Sequence, residues 1–281
     1  MNIRIITDST SDIPQEQALA EGITIVPLSV FFGEEAYRDG VDLDNAGFYA
    51  KLQASKAQPR TSQPSPAAFQ QAYTDLINEG ADAILSVHLS SKLSGTYQSA
   101  CTARDSMPEE VKKIPIEIID SRSVSAGMGL PVIHAARMAR EGKSLEEIKA
   151  KVEDELARTN ILAVLDTLEF LKRSGRVTST QAIFGSLLSV KLVISVRDGE
   201  VIPIERPRTR SKAFARLAQL VSEMGKLDSV TMVESDAEVG RQMNEVIKPV
   251  YSEAIPSYKL GAVIGTHTGP GTVGFALVTA K

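Results

Sequence analysis

The stretch Leu93-Ser94-Gly95-Thr96-Tyr97-Gln98-Ser99 lies at a predicted strand-to-helix turn. The apolar run Ala83–Leu89 before it predicts a strand, and Thr96–Ser106 after it predicts a helix. A hydroxyl and a glycine at such a turn place a side-chain donor and free backbone N–H groups at a helix N-terminus, where anions bind. From this stretch alone, Ser94 as an ordinary N-cap and Gly95 as a turn residue is an equal alternative.

Polar turns also follow the other strands predicted in the first half of the chain. The apolar run Ile3–Ile6 ends in Thr7-Asp8-Ser9-Thr10, and Ile116–Ile119 ends in Asp120-Ser121. A second strand, Ile23–Phe32, precedes the polar loop that contains Thr61-Ser62. Helices are predicted at Val41–Ala54, Pro66–Asn78, Val124–Glu141 and Leu145–Arg158. Strands that alternate with helices predict a parallel sheet with helices on both faces, and a ligand site beyond the carboxyl ends of its strands.

The chain from Ile161 onward follows a different pattern. Asp198-Gly199 predicts a hairpin turn between the strands Leu192–Val196 and Val201–Glu205. Further strands are predicted at Ile161–Leu165, Ser229–Glu234, Ala254–Leu260, Ala262–Thr266 and Val273–Val278, and helices at Leu168–Arg173, Thr178–Leu188, Ala213–Met224 and Glu238–Ile247. We therefore predict two α/β domains with a ligand between them: a three-layer α/β/α domain with a parallel sheet over residues 1–158, and a mixed-sheet α/β domain over residues 159–281.

Composition limits the function classes. The 281 residues carry a net charge of −4, and aromatic residues make up 5% with no Trp, which argues against nucleic acid as the main partner. One cysteine, Cys101, and three separated histidines predict no metal site and no cofactor. The N-terminus lacks the apolar core of a signal peptide, and the apolar window Ala182–Val196 contains Lys191 and is too short to span a bilayer. These features predict a cytoplasmic protein that makes at most transient membrane contact.

Two polar loops and one glycine-rich loop occur together with two further motifs. The loops are Thr61-Ser62-Gln63-Pro64-Ser65, Leu93-Ser94-Gly95-Thr96 and Gly265-Thr266-His267-Thr268-Gly269-Pro270-Gly271. The further motifs are Thr7-Asp8-Ser9-Thr10-Ser11-Asp12 and Leu168-Glu169-Phe170-Leu171-Lys172-Arg173-Ser174-Gly175-Arg176. In this order, and over essentially the whole chain, the set resembles the DegV family. Each motif alone is weakly specific, whereas five in sequence are strongly specific.

The resemblance implies a function. Members of the DegV family act as fatty-acid-binding subunits of the bacterial fatty acid kinase, with the acyl chain buried and the carboxylate at the interdomain crevice. It implies a long-chain fatty acid as ligand, an acyl-chain pocket contributed by the second domain, and no catalysis by the chain itself. A separate ATP-dependent kinase subunit would phosphorylate the carboxylate to an acyl phosphate.

The resemblance also assigns residues. Carried over, Thr61 or Ser62, Ser94 and His267 would hold the carboxylate, and Gly95 lies beside Ser94 in the same motif. Four further residues are candidates for a supporting role, although Asp8 is more easily read as ordering its turn: Asp8, Ser9, Thr266 and Gly269. As a hypothesis, a basic surface would dock the kinase, and the alternative is that its residues are only solvated surface charge: Lys172, Arg173, Arg176, Arg208 and Arg210. The chain has Ser174, Phe170 and Ser211 where the family often has Gly, Tyr and a basic residue, and these departures affect kinase docking more than fatty acid binding.

Two other functions remain open from the residues alone. The first is a serine hydrolase or acyltransferase that uses Ser94 and His267 with Asp8 or Asp120, since triads occur in several chain orders. The pattern Gly-x-Ser-x-Gly of a nucleophile elbow is missing around Ser94, which argues against it. The second is a regulator that binds a polar ligand such as a sugar or phosphate. His88, within an apolar strand, and His134, within a helix, are predicted to be structural.

Overall fold

The structure is a computed structural model that describes residues 1–109, 113–177 and 190–281. Its strands are β1 Ile3–Asp8, β2 Ile23–Val26, β3 Ser29–Phe32, β4 Glu35–Arg38, β5 Pro59–Ser62, β6 Ala83–His88, β7 Ile116–Asp120, β8 Thr159–Leu165, β9 Leu192–Arg197, β10 Glu200–Glu205, β11 Leu227–Glu234, β12 Ser257–Lys259 and β13 Val273–Thr279. Its helices are α1 Gln15–Glu21, α2 Asn45–Ala54, α3 Pro66–Asn78, α4 Thr96–Asp105, α5 Ala126–Arg140, α6 Leu145–Arg158, α7 Glu169–Ser174, α8 Arg210–Ser222, α9 Ala237–Ile247 and α10 Ala262–Thr268.

The first half of the chain builds a four-stranded parallel sheet in the order β2-β1-β6-β7. Ile5 and Leu85 face α5 and α6, whereas Ile6 and Ile84 face α3 and α4, so the sheet is buried on both faces. Continuous apolar strands are typical of such a sheet because neither face meets water. The predicted three-layer α/β/α architecture is confirmed.

The second half builds a six-stranded mixed sheet in the order β10-β9-β8-β13-β11-β12. Only the β11–β12 pair among these neighbours is parallel. One face carries Leu162, Val164 and Phe275 and packs against α8 and α9. The opposite face turns toward the parallel sheet, with Ala276 and Val278 packed in the same core as α5. The predicted α/β fold with a parallel and a separate mixed sheet is confirmed.

A small antiparallel sheet in the order β4-β3-β5 lies beside these two sheets. The prediction of one strand over Ile23–Phe32 was wrong, because β2 joins the parallel sheet and β3 joins the small sheet. Pro27 separates them, since proline has no N–H to donate to a sheet ladder. The expected loop around Thr61 is also strand: Thr61 and Ser62 end β5. The small sheet therefore holds the Thr61 side chain on a regular element rather than on a loop.

The segment Ala262–Thr266 was predicted to be a strand and is the helix α10. A short apolar run has no periodicity that separates a buried strand from a buried helix. The deciding contacts come from far away in sequence. The backbone N–H of Gly261 donates to Asp12 and that of Ala262 to Asp39, both at 2.8 Å, and these bonds cap the helix N-terminus.

Most of the other predicted elements agree with the structure. Helix α6 has the predicted bounds, Ser65 caps α3 through the N–H of Ala68, and the hairpin turn at Asp198-Gly199 is present. The predicted helix Thr178–Leu188, and the window Ala182–Val196 up to residue 189, lie outside the described residues. The predicted domain boundary falls between α6 and β8 and stays a prediction. Among the described helices, none is long and apolar enough to cross a lipid bilayer.

Candidate functional site

A cavity of about 260 Å³ lies between the six-stranded sheet and the carboxyl end of the parallel sheet. Its apolar wall includes Ile161 and Ala163 on β8 and Ile194 and Val196 on β9, which pair across the two strands. These residues share one face because side chains alternate along a strand. Val201 of β10, Val233 of β11 and Leu89, Leu93 and Val124 from the first half extend the same wall.

The same cavity has a polar region. Thr61 and Ser62 of β5, Ser94 and Gly95 before α4, and His267 of α10 all line it. Thr61 Oγ1 and His267 Nε2 are 2.9 Å apart and hydrogen bonded. The structure thus gathers all five residues predicted to hold a carboxylate, from three separate parts of the chain, on the wall of one cavity.

His267 is a neutral donor or acceptor at physiological pH. Burial, together with the nearby positive charges of Arg176 and Arg173, lowers the pKa of His267 to about 4. Nε2 bonds to Thr61, whereas Nδ1 is buried and has no hydrogen-bond partner among the described residues. A buried unpaired nitrogen is costly. The ring therefore has one nitrogen whose hydrogen-bonding capacity the described residues do not satisfy.

The N-cap of α4 is Gly95, not Ser94, which lies one residue before it. The Ser94 Oγ lies 2.9 Å from the Oγ1 of Thr96 and accepts from the N–H of Thr96 at 3.3 Å, so it orders the start of α4. Ser94 also lines the cavity. Gly95 next to it leaves room for Gln63, since an added Cβ at Gly95 would lie 2.6 Å from the Gln63 amide nitrogen. Gln63 also lines the cavity, and its position inside the motif Thr61–Ser65 was the signal that could have found it.

Comparisons with known proteins match this architecture over its full length. The family model described as "Uncharacterised protein, DegV family" matches residues 2–280. The chain belongs to the DegV family. A DegV domain-containing protein of Halalkalibacterium halodurans is 38% identical over 284 residues, which cover 99% of each chain.

Solved structures of the DegV family have the same fold. A structure named "Fatty Acid Binding of a DegV family Protein from Thermus thermophilus" is 34% identical, with a TM-score of 0.87 and complete coverage of both chains. The structure of DegV from Bacillus subtilis, named a fatty acid binding protein, is 32% identical, with a TM-score of 0.86 and complete coverage of both chains. Both of these relatives of known structure are described as binding fatty acids.

The four residues predicted to support the DegV family site lie away from the cavity wall. Asp8 bonds to His88 and to backbone N–H groups, and Ser9 accepts from the N–H of Leu28 at 3.1 Å. Thr266 donates to the carbonyl of Ala262 inside α10. Gly269 has a φ of +77° and an added Cβ there would lie 2.3 Å from the Phe170 ring. The contacts of these four residues order turns and the helix that carries His267.

The predicted kinase-docking residues of this DegV family protein fall into three places. Arg176 lines the cavity and its Nε approaches the carbonyl of Leu93 at 3.5 Å. Lys172 and Arg173 lie on α7, where the Arg173 guanidinium stacks 4.8 Å from the centroid of Phe170. Arg208 is exposed, whereas Arg210 forms a two-pronged ion pair with Asp166. Within the described residues, Arg210 is therefore held by an ion pair, whereas Arg208 is not.

The structure argues against the hydrolase alternative. A triad needs an acid on the second histidine nitrogen, yet His267 Nδ1 has no partner in the described part of the chain. Asp8 bonds to His88 instead, and Asp120 accepts from the N–H and hydroxyl of Ser91. The Asp8–His88 pair continues to Ser86, but all three side chains have no solvent exposure.

Proposed function

We propose that this protein binds one long-chain fatty acid in the cavity, with the carboxylate beside Thr61, Ser94 and His267. The observation that carries the proposal is the division of one cavity into an apolar wall on β8, β9 and β10 and a polar region at the ends of β5 and α10. The fatty acid binding named for the Thermus thermophilus and Bacillus subtilis relatives supports it. In this proposal, residues 159–281 supply the acyl-chain wall.

The energetics of this arrangement favour a lipid. Burial of each CH₂ group contributes about 0.8 kcal/mol, so a chain of about sixteen carbons gains on the order of 10 kcal/mol before costs. The carboxylate then needs only hydrogen bonds that replace those it loses to water. The Thr61 and Ser94 hydroxyls and the neutral His267 ring offer such bonds, and the Arg176 guanidinium, which also lines the cavity, supplies a nearby positive charge.

We infer that the bound carboxylate is presented to a separate ATP-dependent kinase subunit. A carboxylate held by hydrogen bonds keeps its charge and a lone pair for attack on a phosphoryl donor. One carboxylate oxygen would attack the γ-phosphorus of ATP, the bond to the β–γ bridging oxygen would break, and acyl phosphate and ADP would form. The chain itself would act as a lipid-binding subunit in the cytoplasm, and no step of this chemistry would use one of its side chains as acid or base.

Lipid extraction tests the ligand class. The protein is purified, denatured and extracted, and the extract is analysed by lipid mass spectrometry. We expect close to one fatty acid per chain, because the cavity would hold one acyl chain. A protein that yields no fatty acid, even after incubation with several chain lengths, would contradict the proposal and favour the regulator that binds a polar ligand.

A charge reversal tests presentation to the kinase. Arg208→Glu is expected to keep bound lipid and to reduce acyl-phosphate formation by the cognate kinase about tenfold, because Arg208 is exposed and has no hydrogen bond or ion pair within the described residues. Lys143→Glu, beyond the far end of α5, is the matched control and should leave turnover unchanged. Equal turnover in the two variants would refute a docking role for Arg208.

A further inference from the structure

Helix α10 is fixed at its N-terminus by two buried carboxyl groups from the first half of the chain. Asp12 accepts from the N–H of Gly261 and Asp39 accepts from the N–H of Ala262, each at 2.8 Å. The helix has no cap of its own, since its N-cap residue is Gly261. Asp12 is 7% exposed and Asp39 is 3% exposed. Two distant carboxyl groups thus replace the side-chain cap that helices usually carry next to their first turn.

The packing at this contact leaves little freedom. A Cβ added at Gly261 would lie 3.1 Å from Asp12 Oδ1 and from both carboxyl oxygens of Asp39. The second oxygen of Asp12 accepts from Ser125, which itself lines the cavity. The N-terminus of α10 is therefore held between two acidic side chains, one of which also holds a residue of the cavity wall.

Helix α10 is so short that the contact at its N-terminus also determines the position of its C-terminal residues. It has seven residues, Ala262–Thr268, and helices of this length are not stable on their own. His267 lies about 8 Å along the axis from Ala262 at about 1.5 Å per residue. At that end the His267 ring bonds to Thr61. A shift of the N-terminus would therefore move the imidazole relative to β5.

We propose that Asp39, with Asp12 beside it, is a positioning residue that sets the place of His267 in the cavity through α10. Neither carboxyl group lines the cavity, so they act through the helix and not on the ligand. The expected effect on affinity rests on the proposed function. The effect on the position of the imidazole does not, because that position can be measured without ligand. A role limited to global stability would not depend on His267.

A double-mutant comparison tests the proposal with fatty acid as the probe. Asp39→Ala is expected to raise the dissociation constant about tenfold, whereas Asp39→Asn, which keeps an acceptor for the Ala262 N–H, should stay within about twofold of the wild type. In the His267→Ala background, Asp39→Ala should have no further effect beyond about twofold, since the two changes remove the same interaction. Ser144→Ala removes the cap of α6 and is the matched stability control, with ligand affinity unchanged. Additive losses in the double variant would overturn the proposal.

Nuclear magnetic resonance of histidine-labelled, ligand-free protein gives a readout independent of fatty acid binding. The chain has three histidines, so His267→Ala assigns the signal of His267. In Asp39→Ala the pKa of His267 should rise from about 4 toward its ordinary value as the ring becomes less buried. Loss of a negative charge alone would lower the pKa. If the wild type fails to bind lipid, the proposed function fails but this shift still supports the positioning role. An unchanged or lowered pKa would refute the role.

Discussion

Two histidines of this protein, the buried His88 and the half-buried His267, differ in one hydrogen bond. His88 Nε2 lies 2.6 Å from the hydroxyl of Ser86, and His267 Nε2 lies 2.9 Å from the hydroxyl of Thr61. The second nitrogen of His88 bonds to Asp8, whereas that of His267 has no partner among the described residues and its ring lines the cavity. The comparison teaches that the second nitrogen distinguishes a histidine that holds the fold from one that can hold a ligand.

The largest expected effect is on stability and concerns His88, both of whose ring nitrogens are hydrogen bonded. His88→Ala leaves Asp8 buried without its imidazole partner, and the loss of one member of such a pair costs about 3–5 kcal/mol. The ring also packs edge-on against Phe69 at 4.8 Å. We expect the free energy of unfolding in urea to fall by this amount, while protein that remains folded still binds fatty acid. A free energy of unfolding close to that of the wild type would show that His88 is not needed to hold the fold.

The next effect is on fatty acid affinity and concerns His267, whose Nδ1 has no partner among the described residues. His267→Ala is expected to weaken fatty acid binding about 10- to 100-fold, because a hydrogen bond to a charged group contributes about 1.5–3 kcal/mol. The free energy of unfolding should change far less than in His88→Ala. Displacement of a fluorescent fatty acid and urea unfolding measure the two properties on the same samples. Equal losses of affinity in His88→Ala and His267→Ala would contradict the assignment of ligand binding to His267 alone.

The stability of ligand-free protein in mild acid tests whether the His267 ring is neutral in the folded state. The folded-state pKa of His267 is lowered to about 4, so the unfolded chain takes up a proton first as the pH falls. The neutral ring thus contributes stability that is present above pH 6.5, its ordinary pKa, and is lost as the pH falls toward 4. Between pH 7 and pH 5 the wild type should lose about 1–2 kcal/mol more than His267→Ala. Parallel pH profiles of the two proteins would contradict the assignment.

The smallest effect separates the two adjacent hydroxyls of β5. Thr61 bonds to His267, whereas Ser62 donates to the carbonyl of Gln63 and is exposed. Thr61→Val keeps the shape and removes the hydroxyl, so fatty acid affinity should fall about two- to tenfold. Ser62→Ala is the matched control and should stay within about twofold of the wild type. A larger loss of affinity in Ser62→Ala than in Thr61→Val would indicate that Ser62, and not Thr61, contacts the carboxylate.

Much of the fold was predictable where the signal is local. The helix cap at Ser65, the helix α6 and the hairpin turn at Asp198-Gly199 each depend on neighbouring residues. The helix α10 was not predictable in this way, because its capping groups, Asp12 and Asp39, are more than two hundred residues away in sequence. The split of the run Ile23–Phe32 between two sheets likewise depends on which partner strands lie beside each part.

The candidate site shows the same limit. The polar motifs around Thr61, Ser94 and His267 were visible in the sequence, and the structure brings them to one cavity. The sequence did not show that Arg176 lines that cavity or that Arg210 is bound to Asp166, because both facts depend on the tertiary position of a charged side chain. Motif patterns select residue types, whereas contacts decide which of those residues remain available to a ligand.

The two faces of the six-stranded sheet have a consequence for how such a protein can diverge. Ile161 and Ala163 face the cavity, whereas Leu162 and Val164, between and after them on the same strand, pack under α8 and α9. Substitutions at every second position can therefore alter ligand preference while the neighbouring positions preserve the fold. A slip of one residue in strand pairing would exchange the two sets at once. Selection on ligand choice and selection on folding thus act on interleaved positions of one strand, and the pairing register keeps the two sets of positions apart.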